Sequence, residues 1–195
     1  RDWFGPGHYA AEFEEALANE IGITHVQLTN SGSSALLLAT QALQQLGYWK
    51  PGDLILHPAT TFPTSCNPIW QCGMTPVFVD VEEGTYVVNA DRVAQAIEQF
   101  GQHIKGAIIP HLIGNIPEMD RIMDLLDGRP LIEDCCDTMG GGYDDHPIGT
   151  FGHAAAFSFY GSHHITTAGV GGALATDGEE LYHLAKSMTF WGRQF

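Results

Sequence analysis

The stretch THVQLTNSGSSALLLATQALQQLG, residues 24–47, predicts one strand joined directly to one helix. Residues 24–30 have the composition of a short, partly buried strand. Small hydroxyl residues open the next segment, Ala and Leu fill it, and Gly47 closes it, which is the pattern of a capped helix. The turn Asn30–Ser34 combines a glycine with serine hydroxyls at a helix N-terminus, which favours an anion. A helix cap without any ligand is the alternative interpretation of this turn.

The same alternation of strand and helix continues along the rest of the chain. Further strands are predicted at Asp53–Pro58, Thr75–Val81, Lys105–Leu112, Arg129–Asp137, His153–Tyr160 and Gly171–Asp177. Further helices are predicted at Thr64–Gly73, with an interruption at Pro68, and at Asn89–Phe100, Pro117–Gly128 and Glu179–Trp191. Such alternation predicts an α/β fold of three layers, α/β/α, with a mostly parallel sheet covered by helices on both faces.

Polar residues cluster where these predicted strands end. In parallel sheets ligands bind beyond the carboxyl ends of strands, and Ser31–Ser34, Asp134 and Ser158–His163 all fall there, with Phe62 just beyond another strand end. A carboxylate such as Asp134 at the end of a buried strand is costly unless it is met by a cation, for example a protonated pyridine nitrogen, or by backbone donors. Phe62 could stack on an aromatic ring or belong to the core. We therefore expect a ligand site at this edge.

Composition limits the class of protein. The 195 residues suffice for one large domain, and the formal net charge of −15 argues against binding to nucleic acid or to an acidic membrane surface. Apolar runs such as Ala35–Ala39 are too short to cross a bilayer, and no signal peptide is evident. The four cysteines form no CxxC pair, which favours a reducing, cytoplasmic location. Because the chain begins at Arg1 and ends without a tapering tail, we expect it to be a piece of a longer protein.

Five segments together carry a resemblance to one family. They are TNSGSSALLLA, HPATTFPTS, TPVFVDVEEGTYVVNADRV, LIEDCCDTMGG and GTFG…SFYGSHHITTAGVGGAL. In this order they resemble the DegT-type sugar aminotransferases, which have the aspartate-aminotransferase fold (fold type I) and use pyridoxal phosphate (PLP). The resemblance covers nearly the whole chain. It implies that residues 1–195 form the PLP-binding large domain, that the family's C-terminal small domain is absent from this chain, and that the protein is a homodimer.

The resemblance also assigns roles to individual residues. Asp134 would pair with the ring nitrogen of the cofactor, and Phe62 would stack on its ring. Asp137 would lie near the ring hydroxyl, where aminotransferases of the family usually have Gln. Three residues would hold the cofactor phosphate: Gly32, Ser33 and Ser158.

A histidine occupies the position of the family's cofactor lysine. That lysine falls five residues after the serine of the SF pair, where this chain has His163, followed by His164. An imidazole cannot bind the cofactor aldehyde covalently as a lysine amine does, so free pyridoxamine phosphate (PMP) is expected instead. This departure, together with EDCC, is similar to the PMP-dependent nucleotide-sugar 3-dehydratases of 3,6-dideoxyhexose synthesis for lipopolysaccharide O-antigen. The resemblance implies that His163 is the general base. Spacing favours it over His164.

The implied substrate is a nucleotide-linked 4-keto-6-deoxy sugar that loses its C3 hydroxyl. The product adduct would then hydrolyse or be reduced by a partner reductase. The competing hypotheses are a PLP-dependent sugar aminotransferase, a catalytically degenerate relative, and a non-enzymatic module. Two residues beside the expected site depart from the family pattern, since Val170 stands where Glu is usual and Gly161 where Pro is common.

Metal binding is not expected within this chain. His163 and His164 lack a third zinc ligand at suitable spacing. Enzymes of the CDP-4-keto-6-deoxyglucose 3-dehydratase type carry a 2Fe–2S cluster, and Cys136 matches its first ligand by position. The other ligands would follow Phe195, so a cluster is expected only in a longer chain. Cys135 and Cys136 as plain buried thiols are the alternative.

Overall fold

The computed structural model of the protein describes residues 7–193 and is built on a central seven-stranded sheet. The outermost residues of the predicted 1–195 domain, 1–6 and 194–195, lie outside the described residues. The helices are α1 His8–Ile21, α2 Gly32–Gln45, α3 Pro63–Gln71, α4 Ala90–Phe100, α5 Met119–Leu126 and α6 Glu179–Thr189. The strands are β1 His25–Thr29, β2 Leu54–Pro58, β3 Thr75–Val79, β4 Ile104–Pro110, β5 Leu131–Asp134, β6 Gly142–Tyr143, β7 His146–Pro147, β8 Ala154–Ser158 and β9 Gly172–Thr176.

The strand order of the large sheet is β1-β9-β8-β5-β4-β2-β3. All neighbours from β8 to β3 are parallel, whereas β9 runs antiparallel to both β8 and β1. The prediction of a mostly parallel sheet is therefore confirmed. Because β9 alone is reversed, the carboxyl ends of the other six strands meet at one edge, which is where a parallel sheet binds its ligands.

Helices cover both faces of the sheet, which confirms the three-layer prediction. On one face α2, α3 and α6 bury Leu36, Ile69 and Leu181 against strand residues such as Ile132. The opposite face is covered by two clusters, one beneath α4 and α5 and one beneath α1. Each fully buried Leu or Ile side chain contributes about 1.5–3 kcal/mol relative to an exposed one. The central strands β4, β5 and β8 are buried on both faces and are rich in apolar residues, whereas Glu133 and Asp134 at the end of β5 are buried acids.

One predicted feature of α3 is wrong. The helix runs without a break through Pro68, although an interruption was expected there. The proline nitrogen has no hydrogen to donate, so a single intrahelical bond is lost. The helix is hydrogen-bonded on both sides of it, since Ser65 N donates to Phe62 O and Cys72 N donates to Pro68 O, each at 3.0 Å. The short helix is therefore a single rigid element.

The predicted strand at 129–137 is also too long. It ends at Asp134, after which the chain turns, with Cys135 N still bonded to Ala156 O at 2.8 Å. Sequence analysis did not predict α1 or the β6–β7 hairpin. The hairpin turns at Asp144 and Asp145, whose φ angles of 47° and 65° are those of a two-residue turn with left-handed residues. Within residues 7–193, no helix combines the length and apolar character needed to cross a membrane.

Candidate active site

A cavity of about 480 Å³ opens at the edge where the carboxyl ends of the strands meet. It lies between the first turns of α2 and α3, the ends of β4, β5 and β8, and the loop that follows β8. The walls also include residues that sequence analysis did not single out, among them Thr64, Ser65 and His111. All seven residues expected at the site line this one cavity: Gly32, Ser33, Phe62, Asp134, Asp137, Ser158 and His163.

One end of the cavity is suited to an anion. Ser31 caps α2 by accepting a hydrogen bond from Ser34 N at 3.1 Å. The amides of Gly32 and Ser33, at the very start of the helix, have no acceptor within it and can bind an anion. Gly32 allows the close approach of this turn, because a Cβ there would lie 2.5 Å from Cys136 Sγ. The Ser33 hydroxyl donates to Thr64 Oγ1 at 2.8 Å, which joins the N-termini of α2 and α3.

Asp134 forms the floor of the cavity. Asp134 is 5% exposed, and both of its carboxylate oxygens accept a hydrogen bond within the protein. Ser65 Oγ donates to Oδ2, and Cys136 N donates to Oδ1 at 3.1 Å. The sequence left open whether a cation or backbone donors meet this carboxylate. One backbone amide and one hydroxyl hold it, and it also faces the cavity, where a cation could bind.

Phe62 lies at the mouth of the cavity and does not belong to the core. It is the N-cap residue of α3, and 64% of it is exposed even though it lines the cavity wall. An aromatic ring left this open on a cavity wall is available to stack on a flat ligand.

The two histidines of the loop after β8 have different surroundings. His163 lines the cavity, and its Nε2 lies 3.9 Å from Asp137 Oδ1. Its Nδ1 is enclosed and has no hydrogen-bond partner among the described residues. His164 is exposed and outside the cavity wall, and its ring Nε2 contacts Met139 O at 3.1 Å. The loop geometry therefore brings His163, and not His164, to the site.

The two departures from the family pattern lie on the loop after β8, Gly161 before His163 and Val170 after it. Val170 is 69% exposed, and its carbonyl accepts a hydrogen bond from Thr167 Oγ1 at 3.0 Å. A Cβ atom added at Gly161 would lie 3.5 Å from Gly169 O, which is an ordinary van der Waals contact, so a larger residue could be accommodated there. Neither Val170 nor Gly161 contributes to the wall of the cavity as described.

A second polar cluster extends from the cavity wall, at His111, into the interior. The side chains of His111, Glu133 and Cys135 are buried, and their potential ligand atoms lie within 4.8 Å of one another. Glu133 is already saturated, because it accepts a hydrogen bond from His111 Nε2 at 3.0 Å and from three backbone amides at 2.8–2.9 Å: Gly149, Phe151 and Gly152. A metal ion would have to displace these donors. We interpret the cluster as the anchor that fixes the loop before β8.

The two adjacent cysteines have the properties of buried thiols. Burial raises the pKa of the Cys135 thiol well above its usual value, and burial and then Asp134 do the same to the pKa of Cys136. Within residues 7–193 Cys136 belongs to no group of three potential metal ligands, which gives no support to the hypothesis of an iron–sulfur ligand at Cys136. Cys136 instead packs against Gly32 and lines the cavity.

Comparison with known proteins places this geometry in a family. The model of the DegT/DnrJ/EryC1/StrS aminotransferase family matches residues 1–195. The lipopolysaccharide biosynthesis protein RfbH of Salmonella typhimurium is 41% identical over 98% of this chain and 44% of that protein. The dTDP-4-dehydro-2,6-dideoxy-D-glucose 3-dehydratase of Saccharopolyspora spinosa is 39% identical over 96% of this chain and 41% of that protein.

A solved structure is similar over the same region. The E. coli GDP-4-keto-6-deoxy-D-mannose-3-dehydratase with bound hydrated PLP is 34% identical and superposes with a TM-score of 0.86 over 91% of this chain and 46% of that one. The chain thus spans somewhat less than half the length of these proteins. From the match of the family model to the whole chain and the identity to these relatives, we conclude that the protein belongs to the DegT/DnrJ/EryC1/StrS aminotransferase family.

Proposed function

We propose that the protein is a PMP-dependent dehydratase that removes the C3 hydroxyl of a nucleotide-linked 4-keto-6-deoxy sugar, in the biosynthesis of a 3,6-dideoxyhexose of lipopolysaccharide. One observation carries the proposal: His163 lines the cavity at the position where the family usually has its cofactor lysine. The three lysines of the chain, Lys50, Lys105 and Lys186, are not among the residues that line the cavity. An aminotransferase of this family would need a lysine there to hold PLP covalently.

The residues of the cavity fit PMP as a non-covalent ligand. The first turn of α2, with the Ser33 and Ser158 hydroxyls, is suited to a phosphate group. Asp134 on the floor is suited to a protonated pyridine nitrogen, and the open face of Phe62 to the ring itself. When bound, PMP would supply an amine for the keto group of the sugar and a ring that accepts electrons.

His163 is placed to move the proton that the dehydration requires. We assign this role to Nε2, because Nδ1 is enclosed while Nε2 is the nitrogen next to Asp137 at the cavity wall. An imidazole can accept a proton at neutral pH. The Asp137 carboxylate, 3.9 Å away, is placed to stabilise the positive charge that the imidazole acquires. This gives a reason for an acid at position 137 that is separate from any contact with the cofactor.

The remaining expectations for the protein rest on the family. We propose that residues 1–195 act as the cofactor-binding large domain, because the sheet and the cavity at its edge are both built within this chain. We also propose that the protein is a cytoplasmic homodimer. Its C-terminal small domain would come from outside these 195 residues, and a reductase would be its partner.

Borohydride reduction separates the dehydratase from the alternative, a PLP-dependent aminotransferase. We expect that PLP-soaked protein treated with borohydride carries no phosphopyridoxyl group on the 158–172 peptide, because that segment contains no amine side chain. Peptide mass spectrometry measures the label, and the peptides with Lys50, Lys105 and Lys186 report non-specific labelling. A stoichiometric label on the 158–172 peptide would contradict the proposal.

A further inference from the structure

We propose that Ser65 is a positioning residue, which holds Asp134 in the orientation that meets the pyridine nitrogen of the cofactor and so keeps that nitrogen protonated. This inference rests on the proposed function, since it takes the ligand of the cavity to be PMP. Ser65 differs from a catalytic residue because it acts through Asp134.

Two hydrogen bonds hold the Asp134 carboxylate, and the Cys136 thiol, a weak donor, interacts with it as well. Ser65 Oγ bonds Oδ2, and Cys136 N bonds Oδ1 at 3.1 Å. The backbone amide of Cys136 fixes one oxygen only, so the hydroxyl of Ser65 determines the rotation of the carboxylate plane. Ser65 is fully buried and Asp134 nearly so, which means that water is poorly placed to replace the hydroxyl.

The nearby His57 cannot supply a positive charge to Asp134. His57 is fully buried on β2 and interacts electrostatically with Asp134. Burial lowers the pKa of His57 to about 4, so its ring is uncharged at neutral pH. Its Nδ1 is already bonded to Ile108 O at 2.8 Å. His57 therefore supplies no positive charge that could take over from the hydroxyl of Ser65.

One turn of α3 places both Ser65 and the stacking ring. Phe62 is the N-cap residue and Ser65 lies three residues later, so the two face the same side of the helix. The bond from Ser65 N to Phe62 O, at 3.0 Å, fixes the distance between them. As a result, α3 both presents the Phe62 ring to one face of the ligand and, through Ser65, holds Asp134 at the ligand's edge.

A double-mutant cycle tests the inference. We expect Ser65→Ala to weaken PMP binding about ten- to hundredfold, the range for a hydrogen bond to a charged group. In PMP labelled with ¹⁵N in the ring, the nitrogen signal should move from the pyridinium position toward that of a neutral pyridine. If Ser65 acts through Asp134, the substitution should have little further effect on the PMP dissociation constant in an Asp134→Asn background, or on the ¹⁵N signal recorded there at saturating PMP.

The matched control is Thr40→Val, which removes another fully buried helix hydroxyl. Thr40 lies on α2 away from the cavity wall and donates to Leu36 O at 2.8 Å. We expect its PMP affinity and ¹⁵N signal to equal those of the wild type, even if its thermal stability falls. Should Ser65→Ala fail to fold, Ser65→Cys replaces it, because the thiol has a similar size and is a weak donor.

The outcomes separate the inference from the function on which it rests. If wild-type protein binds PMP and Ser65→Ala binds it equally well with an unchanged ¹⁵N signal, Ser65 does not position Asp134, while the proposed function stands. Equal losses in the wild-type and Asp134→Asn backgrounds would also overturn the inference, since they would indicate a general structural effect. If the wild-type protein binds no PMP, both the inference and the proposed function are wrong.

Discussion

The His163→Asn variant is expected to bind PMP as the wild type does and to dehydrate the sugar about 10²–10⁴-fold more slowly, the usual contribution of a positioned general base. Asparagine has a similar size and can form hydrogen bonds, but it cannot accept the proton. Turnover is followed by product formation, and bound PMP by its absorbance after removal of free cofactor.

The matched control is His164→Asn, which changes the neighbouring residue in the same way. His164 is exposed and contacts Met139 O, outside the cavity wall, so its substitution should leave turnover within a few-fold of the wild type. If His164→Asn is the inactive variant and His163→Asn turns over normally, the assignment of the base is off by one residue. If neither substitution matters, the two histidines have no part in the chemistry.

The His163→Lys variant extends this prediction, because it restores an amine at the cavity wall. It should capture PLP in a covalent bond that borohydride reduces, and its absorbance should shift accordingly. The phosphopyridoxyl group would then appear on the 158–172 peptide, where the wild type should have none. With a suitable amine donor, this variant is expected to transaminate the keto sugar.

The Asp134→Asn variant is expected to lose PMP affinity by about 10²-fold or more and to lose most of its turnover. The amide has no charge to stabilise a pyridinium, and one end of it would place an NH₂ group against the Ser65 or Cys136 donor. Losses of about 2–5 kcal/mol are typical when one member of a buried, hydrogen-bonded charge pair is neutralised. Titration calorimetry with PMP measures the effect.

A surface substitution of the same type serves as the control for Asp134. Asp91→Asn neutralises a carboxylate that is 69% exposed and paired with Arg121 at 2.6 Å, and surface pairs of this kind contribute little. It should bind PMP like the wild type. Asp134 is not the ring partner if its Asn variant matches this control in both affinity and rate.

The local parts of the site could be predicted from the sequence. The turn from β1 into α2 is encoded by consecutive residues, and the acid at the end of β5 follows an apolar strand, so both are visible as patterns. The topology then places these strand ends at one edge, because parallel strands share their direction. The spacing from Ser158 to His163 depends on a single loop, and the structure brings both residues to the cavity.

What the sequence did not reveal depends on contacts between distant residues. Ser65 and Asp134 are 69 positions apart, and Ser33 and Thr64 are 31 apart. A serine within a helix carries no sign of the partner it will meet. The saturation of Glu133 by His111 and three amides is equally invisible, since it joins β5 to the residue after β4 and to the loop before β8.

Local rules also failed where tertiary packing outweighs them. Pro68 is a helix breaker by its own chemistry, yet α3 continues through it while burying Ser65, Cys66 and Ile69. The burial of that face offsets the loss of a single hydrogen bond.

The most direct test of the proposed dehydratase is the structure of its product. Purified protein is supplied with PMP, a reductant and candidate nucleotide-linked 4-keto-6-deoxy sugars, and the released sugar is analysed by mass spectrometry and NMR. We predict a product lighter than the substrate by one oxygen atom, with a methylene group at C3, and none from His163→Asn within the same time. An amino sugar that retains its C3 hydroxyl, formed by the wild-type protein, would contradict the account.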